Sequence, residues 1–168
     1  MPYPFAVERL RADELNAALG AGRVIGRGRR ITSSTAAAAE QSVLRIDGIP
    51  VVSGNVYVIT VNPVILDTTV ANDVGRINLR LDDTGAAATT ASTIIAIAQQ
   101  RLDDATNGNS TGASTTRLAS ATGTWSILLT TSRVSGTGNI SIASSSSSPI
   151  EIVVYDGGVD PSDTGVDL

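Results

Sequence analysis

Gly75-Arg76-Ile77-Asn78-Leu79-Arg80-Leu81 places three aliphatic side chains at every second position, with polar ones between them. Successive side chains of a strand point to opposite faces. This spacing therefore predicts a strand with Ile77, Leu79 and Leu81 toward a core and Asn78 and Arg80 toward water. On either side of it, short β-branched runs recur between turn residues at 43–46, 55–61, 64–66, 93–99, 115–119, 124–134, 139–143 and 150–155. Eight or nine strands at that spacing read as an all-β chain, a jelly-roll-like antiparallel β-sandwich. No internal repeat of fixed period occurs, which sets solenoids and propellers aside.

The 168 residues are one domain's worth of chain, long enough to bury a sizeable core. Hydrophobic residues make up 42% of it, but only Tyr3, Phe5, Tyr57, Trp125 and Tyr155 are aromatic, so Val, Ile, Leu and Ala must do the packing. With no cysteine and no histidine, the chain has no disulfide, thiolate nucleophile, Ser-His-Asp triad or ordinary zinc site. No stretch approaches the roughly 18 apolar residues that span a bilayer, and the start of the chain lacks the basic-then-apolar order of a secretory signal. The expectation is a soluble chain with no export address and no membrane insertion.

Two stretches, Thr93-Ile94-Ile95-Ala96-Ile97-Ala98 and Trp125-Ser126-Ile127-Leu128-Leu129, are apolar on both faces. A strand covered on both sides needs a layer outside the sandwich, so Ile95, Ile97, Trp125, Leu128 and Leu129 are expected to form an oligomer interface, in a homotrimer.

Charge is segregated along the chain. Residues 1–30 carry six arginines against three acids, whereas residues 149–168 carry five acids and no arginine. Fields of opposite sign at opposite ends point to contact with neighbouring molecules. Leu15, Ala18 and Leu19 share one helical face and Gly20 offers a left-handed stop, which predicts a short helix over 11–19. The run from Gly20 to Gly28 reads as flexible. Residues 1–40 are thus expected to be an extended N-terminal docking arm, with Leu15 and Leu19 as anchors and Arg23, Arg27, Arg29 and Arg30 as salt-sensitive contacts; residues 41–168 are expected to be the sandwich with an acidic tail.

Other constellations read as structure before chemistry. The glycine-rich run follows a helix instead of a strand and has no Gly-Lys-Ser/Thr, so it is a flexible arm and not a phosphate loop. Its arginines lack aromatic stacking partners in an acidic chain of net charge −4, so no nucleic-acid partner is expected. Asp82-Asp83 and Asp103-Asp104 stand at strand ends, where turn-forming Asp is common, and adjacent acids point apart. Asp103, Asp104, Asn107 and Asn109, or Asp156, Asp160 and Asp163, offer hard oxygens for calcium but match no regular loop spacing. No metal, cofactor or catalytic residue is expected. Trp125 reads as a buried side chain and not as a sugar platform. The stretches 106–116 and 144–148 read as loops between strands.

Glu8-Arg9-Leu10-Arg11-Ala12-Asp13-Glu14-Leu15-Asn16-Ala17 resembles the short entry motif, roughly Glu-Arg-Leu-Thr-Ala-Ala-Asp-Leu-Asn, near the start of structural proteins of tailed bacteriophages. Arg11 stands where that motif has a helix-capping Thr. Val70-Ala71-Asn72-Asp73-Val74, Ser132-Arg133-Val134-Ser135-Gly136-Thr137-Gly138-Asn139 and the ending from Asp156 to Asp167 look like small minor tail or accessory virion proteins of phages from high-GC bacteria. Twelve arginines without a lysine fit such a codon bias. The resemblance implies a non-enzymatic virion component, a minor tail protein displayed as a homotrimer and held by its arm to other virion proteins. Capsid decoration or a head spike is the alternative within that class. A carbohydrate-binding adhesion module, with a host-surface glycan as partner, is the alternative of another class; it needs exposed aromatics, and the two loop stretches have none.

Overall fold

Nine strands account for most of what the computed structural model describes, namely residues 22–105 and 108–159. They are β1 (Arg23–Arg30), β2 (Gln41–Val51), β3 (Asn55–Thr68), β4 (Asp73–Asp82), β5 (Thr93–Leu102), β6 (Asn109–Leu118), β7 (Gly123–Ser135), β8 (Ile140–Ala143) and β9 (Ile150–Val159). The helix expected over 11–19 lies outside the described residues, as do Leu15 and Leu19.

One sheet runs β1-β9-β3-β6, with β8 also pairing β3, and the other runs β2-β7-β4-β5; every pairing is antiparallel. The partners nest: β1 with β9, β2 with β7, β3 with β6, β4 with β5. The chain is thus one long antiparallel ribbon folded over on itself, which is the jelly-roll winding. Between the sheets lie Ile59, Leu66, Ile77, Leu79, Ile127, Leu129, Ile152 and Val154, all fully buried. Tyr57 and Trp125 meet edge to face there, with ring centroids 5.2 Å apart. The Tyr57 hydroxyl accepts the Val52 N–H at 2.8 Å, so its polar end is satisfied inside the core.

Several expectations are corrected. The runs at 55–61 and 64–66 are one strand, interrupted by a register shift between Val61 and Val64 where exposed Pro63 has no N–H to give the ladder. Residues 109–116 of the expected loop at 106–116 belong to β6, because alternate Ser and Thr side chains there pair with β3 and every second one is half-covered. The Gly-Arg run is β1, an edge strand paired with β9 over Arg23–Arg30, so the sandwich begins well before residue 41.

Asn78 and Arg80 are buried, not turned to water. The Glu40 carboxylate crosses their face and accepts from Arg80 Nε and Nη2, each at 2.8 Å, and from Asn78 Nδ2 at 2.9 Å. The connection from β4 to β5 covers the same face, where the buried Ala88 N–H donates to Ser126 Oγ at 2.8 Å and Arg80 Nη1 to the Ser92 carbonyl at 2.6 Å. The outer layer that the doubly apolar β7 called for is therefore supplied by this chain itself. Trp125 and Leu129 lie in the core, Leu128 is buried on the covered face, and Ile95 is partly buried against the core. Of the five expected interface residues only Ile97, at 51% exposure, remains open.

Leu79→Ala is expected to cost about 2 to 5 kcal/mol through the cavity it leaves. Asn78→Ala is expected to cost about 1 to 3 kcal/mol, well above a surface change, because Glu40 and Thr130 lose a buried donor. Urea unfolding of both variants checks this; an Asn78→Ala midpoint equal to wild type would put that side chain in solvent.

Candidate functional site

The outward face of β9 carries Glu151, Val153 and Tyr155, alternating with the core residues Ile150, Ile152 and Val154. On one side β1 adds Val24 opposite Tyr155 and Arg27 opposite Val153. These two residues are three apart yet share a face because a bulge lies between Val24 and Gly26. On the other side β3 contributes Asn62, from its own register shift. Together Val24, Arg27, Asn62, Glu151, Val153 and Tyr155 line a cleft of about 360 Å³.

Glycine explains how β1 sits so close. Gly26 and Gly28 face inward, and a Cβ on Gly28 would stand 2.6 Å from Ile46 Cγ1. With small residues inward, Arg27 and Arg29 are thrown outward.

The polar centre is Glu151, a carboxylate only 7% exposed. One of its oxygens accepts from Arg27 Nε and the other from Asn62 Nδ2 at 2.7 Å. The hydrogen bond and charge of Glu151 raise the Arg27 pKa, so this guanidinium is permanently cationic. Its side chain is 64% exposed. Val24 and Val153 provide apolar surface, and Tyr155 is half-buried beside them. Of the aromatics among the described residues, Tyr57 and Trp125 are shut in the core, which leaves Tyr155 as the ring a ligand can reach.

The expected docking arginines separate. Arg23 opens β1 opposite Asp156. Arg27 enters the cleft. Arg29 donates from Nη2 to the Ser146 carbonyl at 3.0 Å. Arg30 is committed within the chain, donating to the carbonyls of Thr32 at 2.8 Å, Ser33 at 2.8 Å and Val43 at 2.7 Å. Asn62 on β3 is far in sequence from Glu151, Val153 and Tyr155 on β9, and nothing in the local pattern of either stretch marks these residues for function.

Four other acids among the described residues are held within the fold, while Asp160 and Asp163 lie outside those residues. Asp82 accepts from the Thr84 hydroxyl at 2.6 Å in a turn, and Asp103 pairs with Arg101 at 2.9 Å. Asp156 accepts from Asn55 Nδ2 at 3.2 Å and from the Gly158 N–H at 2.9 Å. Asp73, 1% exposed, accepts from Thr68 Oγ1 at 2.5 Å and from the N–H groups of Thr137 and Gly138 at 2.9 and 3.0 Å. Those bonds, the Thr68 hydroxyl first, hold its pKa below the usual carboxylate range. Among the described residues no group of three acids could hold a metal ion. A smaller hollow of about 140 Å³ at Ile65, Ala143 and Ser144 carries no charged side chain among the described residues.

No protein-family model matches the chain, and no curated protein does. Among solved structures it is similar to the Eiger TNF of S. frugiperda at 13% identity, covering 88% of this chain and 95% of that one, with a TM-score of 0.42. It is similar to a Clostridium thermocellum xylanase 10B fragment holding CBM22-1 and GH10 modules, at 10% identity over 88% of this chain and 30% of that chain, with a TM-score of 0.41. The CBM22-2 xylan-binding domain of Paenibacillus barcinonensis Xyn10C is 15% identical over 82% of this chain and 89% of that one, with a TM-score of 0.30.

Proposed function

We propose that this chain is a non-catalytic saccharide-binding module whose ligand lies in the cleft across β1, β9 and β3. The observation that carries the reading is the lining itself: one accessible aromatic ring and two valines beside an arginine and an asparagine whose orientation Glu151 fixes. A sugar ring has a C–H face that packs on apolar and aromatic surface and hydroxyls that need aligned partners, and this cleft offers both. The cleft volume lies in the range of small-molecule sites. Glu151, the one carboxylate among the described lining residues, is engaged through both oxygens, which supports binding over two-carboxylate hydrolysis.

The test is a glycan array followed by titration of the positive glycans. Tyr155→Ala and Asn62→Ala are each expected to weaken binding roughly tenfold or more, with far-UV circular dichroism unchanged. Absence of binding to any arrayed saccharide at about 1 mM would overturn the reading.

A second reading concerns where the module works. The resemblance at Glu8 to Ala17 supports a place on a tailed-phage particle, as a minor tail protein or a capsid decoration. Immunogold labelling of particles and the solution mass of the chain test that place and the homotrimer.

A further inference from the structure

We infer that the ligand of the cleft is an acidic saccharide, and that the exposed edge of the Arg27 guanidinium is the group that recognises its carboxylate. This rests on the saccharide reading and adds the chemical class. Glu151 takes Arg27 through Nε, and Asn62 occupies the second Glu151 oxygen, so the pair is closed on that side. Among the described residues neither Nη of Arg27 has a hydrogen-bond partner, and the side chain is 64% exposed. A guanidinium bound through Nε still presents its Nη1–Nη2 edge, two parallel N–H groups at the spacing of carboxylate oxygens. A neutral hydroxyl engages one of them, whereas a carboxylate engages both with charge assistance.

The surrounding charge agrees. The outward positions of β1 beside the cleft hold Arg27 and Arg29, and Glu151 is the one acid among the lining residues. The chain as a whole is at −4, so this face is basic against the general balance and favours an anion locally. Glu151 is a positioning residue: buried and held by Asn62, it fixes which edge of Arg27 faces outward.

The experiment is calorimetric titration of the full chain with a glucuronic-acid oligosaccharide, with a sialylated trisaccharide, and with the carboxyl-reduced form of each. At least one acid form is expected to bind roughly tenfold or more tightly than its reduced form, an advantage that shrinks with added salt. Which of the two acids binds distinguishes a uronate from a sialic-acid source. Arg27→Lys keeps the charge but loses the fork, and is expected to erase the preference while Arg29→Lys retains it. Equal binding of acid and reduced forms, or tighter binding of a sulfated neutral sugar, would overturn the carboxylate assignment and leave the saccharide reading standing. Binding of no saccharide would overturn both. The wild-type comparison decides the matter even if the Arg27 variant is poorly folded.

Discussion

Replacing Glu40 with alanine is expected to destabilise the fold by about 3 to 5 kcal/mol, a large part of the about 5 to 15 kcal/mol that holds a domain together. The Glu40 carboxylate takes Arg80 through both oxygens, at 2.8 Å each, and also accepts from Asn78 and Thr130. The Arg80 side chain is 10% exposed, so truncating Glu40 leaves a buried cation with no counter-charge. Glu40→Gln keeps the shape and loses the charge, so its cost should fall between alanine and wild type. The Arg80 hydrogen bond, opposed by burial and helped by Thr130 and Asn78, pulls the Glu40 pKa down to about 2. A folded value below the unfolded one of about 4.3 means the contribution is complete above about pH 4.5 and is lost as pH falls toward 2. Guanidinium unfolding at successive pH values should show that acid loss in wild type and a shallower one in Glu40→Gln. Equal slopes would mean that Glu40 is not the linked group. Asp47, Asp73 and Asp82, whose pKa values are also lowered, contribute slope that persists in the variant.

Alternation made much of the core legible. Ile77 and Leu79 fall every second residue in β4 and are fully buried. The same period misled at Asn78 and Arg80, because polarity marks a side chain that needs a partner, and whether water or protein supplies it depends on Glu40, which lies 38 to 40 residues away. β1 was hidden by composition: glycine and arginine are poor strand formers, yet Gly26-Arg27-Gly28-Arg29 alternates small with long, a period-two signal in size instead of hydropathy. β6 was hidden similarly, since an edge strand half-covered on one face can be built from Ser, Thr and Ala. Of the cleft only Arg27 was legible, as one of four arginines expected to make contacts. Arg27, Asn62 and Glu151 come from three strands that only the jelly-roll winding makes neighbours, and two of the three are displaced by register shifts that no local pattern announces.

Deleting residues 1–40 is expected to abolish cooperative folding, a larger effect than any single substitution. A detachable arm would leave a folded core, but this segment is stitched into the sandwich along its described length. β1 pairs with β9 at seven registered positions, from Arg23 opposite Asp156 to Arg30 opposite Ile150. Ser34 donates its N–H to the Ile142 carbonyl at 2.9 Å and its hydroxyl accepts the Ile142 N–H at 2.8 Å. Ala37 and Ile140 exchange both backbone bonds, at 3.0 and 2.9 Å. Glu40 then closes the far sheet. Without β1, the core residues Ile150, Ile152 and Val154 would lie on a bare edge strand, which invites pairing between chains. Residues 41–168 alone should give a broad, non-cooperative melt or aggregate, whereas the full chain should melt sharply; a sharp melt with dispersed amide resonances from the fragment would show β1 to be dispensable. Function should go with the strand, because Val24 and Arg27 form one wall of the cleft and Arg27 holds the buried Glu151 carboxylate. A fragment that folded after all would still be expected to lose the acidic-saccharide preference, which separates the role of β1 in the site from its role in the fold.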